Sequence, residues 1–222
     1  MLVLFDIDGT MLSSEGVGVR SIEETCEKMF GKPCSLEGIP VGGRLDPLIW
    51  NDICEKYEIE NSQELHEAFR ASYTKVLLKN IVNTQVKTLP GVQQLVEELH
   101  AMEHVALGLV TGNYEETGKM KVEQAGFDSS IFAANAWGTD GKVRNDLPPV
   151  AIAKYGKGGP VVLLGDTIHD VTSGKSSGCK VIAVCTGSHD RAILAASDPD
   201  LLLEDLAETE AVLHWIFNIH NQ

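Results

Sequence analysis

Four stretches of the chain are apolar with no polar alternation: Leu2–Phe5, Val105–Val110, Val161–Leu164 and Val181–Val184. Runs this short and this continuous read as β-strands covered on both faces, the usual condition of parallel strands. Between them the spacing changes to that of a helix: Val92, Leu95, Val96 and Leu99 fall on one face, and Thr117–Gln124 and Val171–Ser177 are also read as helical. Gly126 and Gly178 stand where a left-handed residue would end the last two. Strand and helix in alternation predict an α/β fold, a doubly wound, mainly parallel Rossmann-like sheet.

The interval 13–86 breaks that rhythm. It reads as helices over about 17–30, 44–57 and 62–79, with loops at Gly31-Lys32-Pro33 and from Pro40 to Gly43. Leu89-Pro90-Gly91 marks the return to the alternating pattern. The expected organisation is therefore a core made of 1–12 and 87–222, with an α-helical cap inserted at 13–86.

The chemistry gathers at the ends of the strands. The first runs straight into Asp6-Ile7-Asp8-Gly9-Thr10, two carboxylates on one side of an extended segment at its C-terminal end. The third ends in Gly165-Asp166-Thr167-Ile168-His169-Asp170, with two further acids on the turn into a helix. One such turn could simply be a helix N-cap. Two acid pairs at one sheet edge make a concentrated negative site that is costly without a cation, and Mg2+ suits both carboxylates and phosphate oxygens. The second strand ends in Val110-Thr111-Gly112-Asn113, where a hydroxyl and N–H groups at a helix start suit a phosphate oxygen. Arg144 precedes a helix that could begin at Pro148-Pro149, so its guanidinium could reach the same edge.

Charge narrows the partners. A net charge of −14 with no basic stripe argues against nucleic acid and anionic membranes, so a phosphorylated substrate must be met by local cations. The five cysteines show no CxxC spacing, which suggests neither zinc nor a disulfide framework. The apolar N-terminal run meets Asp6 too early for a signal or membrane segment, so the expected location is cytoplasmic.

In this order, Phe5–Thr10, Val110–Asn113, a basic residue before a helix and Gly165–Asp170 resemble the four motifs of the haloacid dehalogenase-like superfamily. The resemblance implies that Asp6 is a nucleophile that forms an aspartyl-phosphate, with Asp8 as the acid/base. It further implies that Mg2+ is bound by Asp6, the carbonyl of Asp8, Asp166, and Asp170 directly or through water. Thr111, with Gly112 and Asn113, and Arg144 would hold the transferring phosphoryl group. Arg144 stands where the family usually has lysine, and Lys142 is the other candidate.

An acid at Asp8 disfavours dehalogenation and carbon–phosphorus cleavage. The expected activity is that of a phosphatase for a small phosphorylated metabolite, similar to phosphoglycolate phosphatases. A β-phosphoglucomutase-like mutase and a silent phosphate-binding protein are the alternatives. Residues 9–110 separate Asp8 from Thr111, whereas only 145–165 separate Arg144 from Asp166, which places the cap after the first motif. Within it Gly16 and Gly18 could hinge, and the loop Val41-Gly42-Gly43-Arg44 is expected to enter the site, with Arg44 as a cation for an anionic substrate.

Overall fold

The computed structural model describes residues 1–218. The chain begins with β1 (Leu2–Phe5), a two-residue strand β2 (Leu12–Ser13), three helices, α1 (Val17–Phe30), α2 (Asp46–Lys56) and α3 (Gln63–Ile81), and a second short strand β3 (Lys87–Thr88). It continues with α4 (Val92–His100), β4 (Ala106–Leu109), α5 (Glu115–Gln124) and α6 (Leu147–Tyr155). The last part comprises β5 (Val161–Gly165), α7 (Ile168–Ser176), β6 (Lys180–Val184), α8 (Arg191–Ala196), β7 (Leu201–Leu203) and α9 (Thr209–Phe217).

β1 lies at the heart of the sheet because all four of its side chains are apolar and fully covered. Val3 and Phe5 enter one hydrophobic cluster and Leu2 and Leu4 another, as alternate residues of a strand must. The sheet runs β4-β1-β5-β6-β7 with every pair parallel. β1 therefore has β4 on one side and β5 on the other, and the strand order reverses beside it. At such a reversal a crevice opens beyond the carboxyl ends of the strands.

β2 and β3 pair antiparallel, Leu12 opposite Thr88 and Ser13 opposite Lys87, so the chain leaves the sheet layer and returns to it at one place. The three helices between them close over their own core. Trp50, Phe69, Tyr73 and Leu77 are buried there, with the Trp50 and Phe69 rings stacked at 4.3 Å between centroids. Each large apolar side chain so covered stabilises by about 1.5–3 kcal/mol, which gives the insertion a core separate from that of the sheet. Arg70 on α3 grips Glu116 on α5 through two bonds of 2.6 and 2.7 Å, tying the helical layer to the core.

Several boundaries shift for local reasons. α2 starts at Asp46 because Pro47 occupies its first turn, where no backbone N–H is needed. α7 starts before Val171 because Thr167 and Asp170 form a reciprocal capping box. Gly126 and Gly178 follow the caps of α5 and α7 with φ of 95° and 75°. No helix among the described residues is long and apolar enough to cross a membrane.

Candidate active site

Asp6, Thr111 and Asp166 follow β1, β4 and β5, and the parallel register brings these strand ends together. They open on a cavity of about 390 Å³ between the sheet edge and the helical insertion. Asp6 is 5% exposed, and its Oδ1 accepts from Arg144 Nη2 at 2.8 Å. The same nitrogen donates to Asp170 Oδ1 at 2.6 Å and to the Val110 carbonyl at 3.0 Å. Arg144 sits in a short 3-10 turn, Arg144–Asp146, that leads into α6, and it is buried; Lys142, two residues earlier, is exposed. The prolines expected to open this helix lie in the first turn of α6.

Asp170 has both oxygens engaged. Besides Arg144, it accepts from the Thr167 N–H at 3.1 Å and the Thr167 hydroxyl at 2.7 Å. Asp166 accepts from the Ser188 N–H at 2.8 Å and faces Gly9. Gly9 has a φ of 84°, and a β-carbon there would collide with the Asp166 carboxylate, so only glycine lets the two motifs approach.

Carboxylate oxygens of Asp6, Asp166 and Asp170 lie within 4.8 Å of one another. One guanidinium cannot neutralise three buried acids. Burial pushes Asp166 well above the ordinary carboxylate range, reinforced by the charges of Asp6 and Asp170. Burial likewise raises Asp6, against the pull of Arg144 and with the push of Asp170. A divalent cation would offset this crowding of negative charge, and oxygen donors of this kind fit Mg2+. Asp6 and Asp166 retain the greater freedom to bind it, since Asp170 is committed to Arg144 and Thr167.

Asp8 points to the other side of the cavity. Its carboxylate accepts from Lys121 Nζ at 2.6 Å, Asn113 Nδ2 at 2.9 Å and Ser14 Oγ at 3.3 Å. Burial works to raise its pKa, but the Lys121 charge and these bonds outweigh it and hold Asp8 below the usual range. Asn113 is the junction of the network: its Nδ2 also donates to Thr111 Oγ1 at 2.7 Å, and its Oδ1 accepts from Lys121 at 2.7 Å. Thr111 is thereby held at the end of β4, 1% exposed.

Lys121 was not among the residues singled out from the sequence. With Thr117, Gly118 and Val122 it occupies the buried face of α5, an unusual place for an ammonium. The cap loop does reach the site. The Asp46 N–H donates to the Gly112 carbonyl at 2.7 Å, and Arg44's backbone lies so close to Gly112 that a β-carbon there could not fit. Gly43, with φ of 67°, packs on Thr167 and His169. The Arg44 side chain, expected as a cation for an anionic substrate, borders the cavity, and its Nη2 donates to Asp52 Oδ1 at 2.7 Å.

Comparison with known proteins agrees with this geometry. A pyrophosphatase PpaX of Bacillus pumilus is 24% identical over 95% of each chain. A phosphoglycolate phosphatase of Vibrio parahaemolyticus is 25% identical over 93% of each. The crystal structure of a hydrolase from Pseudomonas syringae matches with a TM-score of 0.72 at 19% identity, covering 96% of this chain and 98% of that one. CbbY from Rhodobacter sphaeroides, solved in complex with phosphate, gives 0.73 at 18% identity, covering 93% and 95%. The model of the haloacid dehalogenase-like hydrolases matches residues 3–184, from within β1 to the end of β6. An acid-lined edge at the head of this sheet, under a match of that extent, makes the chain a member of the haloacid dehalogenase-like hydrolase family.

Proposed function

We propose that the protein is a Mg2+-dependent phosphatase that hydrolyses a small phosphorylated metabolite through an aspartyl-phosphate on Asp6. The observation that carries this reading is the placement of Asp6: a carboxylate at the open end of β1, between the acids of one face and the Asp8–Lys121 pair of the other. Residues 1–12 and 87–222 would form the catalytic core and 13–86 the cap that closes it, with the last four residues lying outside those described.

In the first step an oxygen of Asp6 attacks phosphorus, the P–O bond to the leaving group breaks, and the leaving-group oxygen takes a proton from Asp8. In the second, Asp8 removes a proton from water, the hydroxyl adds to phosphorus, and the Asp6 carboxylate leaves, releasing inorganic phosphate. Arg144 fixes Asp6, and Thr111 with the Gly112 and Asn113 backbone positions the phosphoryl oxygens. Asp6, Asp166, the Asp8 carbonyl and Asp170, directly or through water, would hold Mg2+, which would supply charge neutralisation for phosphate in this acidic chain.

The test is phosphate release from p-nitrophenyl phosphate and from alkyl phosphates, with Mg2+ and with EDTA. Metal-dependent release of inorganic phosphate, without isomerised ester, is expected. Asp8→Asn should slow the single-turnover phosphorylation step by alkyl esters at least about tenfold more than by aryl esters, whose leaving oxygen needs less help. Equal losses would remove Asp8 from leaving-group protonation. Lys121→Met should move the basic limb of the kcat/KM profile to higher pH, because the first step uses protonated Asp8 and the cation that favours its ionised form is gone; an unmoved limb would contradict that role.

Metal binding should also show in stability. Asp6 and Asp166 bind protons more tightly folded than unfolded, so their contribution is fully present below the unfolded value of 3.8 and is lost as pH rises to about 8. Mg2+ competes with those protons. The rise in Tm that Mg2+ gives over EDTA should therefore be larger at about pH 8 than at about pH 5, as thermal denaturation would read.

A further inference from the structure

The cap side of the cavity holds polar groups that the phosphoryl chemistry does not use. Tyr73 on α3 is 1% exposed and borders the cavity, yet its hydroxyl has no hydrogen-bond partner among the described residues. Asp46, at the start of α2, is 8% exposed and gives one oxygen to the Tyr114 N–H at 2.9 Å; its other oxygen has no donor among the described residues. Lys121 uses two of its three N–H donors on Asp8 and Asn113. Gly18 on α1 completes the cradle. A β-carbon at Gly18 would stand 3.4 Å from both the Tyr73 hydroxyl and Lys121 Nζ, so its missing side chain leaves the space between them open.

The charges around this cradle decide what it can hold. Three cations border the cavity, and each already faces carboxylate: Arg144 at Asp6 and Asp170, Lys121 at Asp8, Arg44 at Asp52. Asp46 adds a further acid beside Lys121. A carboxylate or second phosphate on the leaving group would enter without an uncommitted cation to receive it, a repulsion that works as discrimination. A hydroxyl group, by contrast, can donate to Asp46 and accept from Tyr73 or Lys121, satisfying groups that are otherwise idle.

We infer that Tyr73, Asp46 and Lys121 form a leaving-group subsite that selects phosphate monoesters of uncharged, hydroxyl-bearing alcohols, such as polyols or sugars, over esters with anionic leaving groups. This rests on the phosphatase reading above. It points away from the substrates in the names of the two relatives, whose leaving groups would be phosphate and glycolate.

The test compares kcat/KM of the full chain with Mg2+ on glycerol phosphate, a hexose monophosphate, phosphoglycolate, pyrophosphate and p-nitrophenyl phosphate. At least one neutral-alcohol ester should exceed both anionic ones by at least about tenfold. Tyr73→Phe keeps the ring that packs in the cap and removes only the hydroxyl. It should reduce the ratio of that ester to p-nitrophenyl phosphate about tenfold, the value of one hydrogen bond. Gly18→Ala, which partly fills the cradle in a helix that accepts alanine, should shift the ratio the same way. Higher kcat/KM on phosphoglycolate or pyrophosphate, or equal losses on all substrates in Tyr73→Phe, would overturn the inference. Absence of any Mg2+-dependent p-nitrophenyl phosphate hydrolysis would instead remove the proposed function, and the subsite with it.

Discussion

Asp6→Asn should reduce phosphate release from every substrate by at least about 10⁴-fold, the order of loss that follows removal of a covalent nucleophile. The amide cannot attack phosphorus, and it also withdraws one of the acids that would hold Mg2+. The fold should survive. Asparagine is close in shape to aspartate, and the change takes a charge out of a buried cluster that holds too many acids. Far-UV circular dichroism should be unchanged, and the metal-free protein should be at least as stable as the parent. Substantial turnover in this variant would end the case for Asp6, whatever its place in the structure.

Arg144→Ala is the second large effect. Arg144 bonds Asp6, Asp170 and the Val110 carbonyl from one nitrogen, so it fixes the nucleophile, the α7 cap and the end of β4 together. Its loss should lower kcat/KM by about 10²–10³, the scale of a preorganised donor that steadies developing charge. It should also leave Asp6 and Asp170 buried without their cation, at a cost of about 3–5 kcal/mol in stability. Arg144→Lys should recover much of both, because an ammonium can still sit between the carboxylates. Lys142→Ala, at an exposed position, should change neither. If Lys142→Ala were the damaging change, the assignment of the motif cation would be reversed.

What could be read from the sequence, and what could not, follows from the range of the interactions involved. β1, β4, β5 and β6 were legible because a strand covered on both faces must be apolar throughout, and the acids that end β1 and β5 stand out against that background. The three helices of the insertion were legible for a similar reason, since their buried apolar residues recur at helical spacing, as Phe69, Tyr73, Val76 and Leu77 do on α3. β7 was not. Its leucines are only partly covered at the sheet edge, and three residues carry no period of their own. The Arg44–Asp52 pair escaped because it joins a loop to the next helix, a contact that no local pattern encodes. Lys121 escaped because a lysine on a helix is ordinarily solvated, and its real partners, Asp8 and Asn113, arrive from the ends of two different strands.

That network also separates the two halves of the site. Arg144, Asp170 and Asp166 surround Asp6, and in the proposed mechanism they face phosphoryl oxygens and a hard cation. Lys121 and Asn113 aim Asp8 toward the cap, where a leaving group or an attacking water would stand. Asp6 and Asp8 follow β1 two residues apart, so a single strand end fixes the relation between the two acids.

In the proposed mechanism the phosphoryl group passes through a covalent intermediate on Asp6 rather than directly to water. The stereochemical course of hydrolysis tests it most directly, using an ester made chiral at phosphorus with oxygen isotopes and sulfur. Two successive in-line displacements, the first by Asp6 and the second by water, each invert the centre, so overall retention is the predicted result. Net inversion would mean a single displacement by water and would contradict the account.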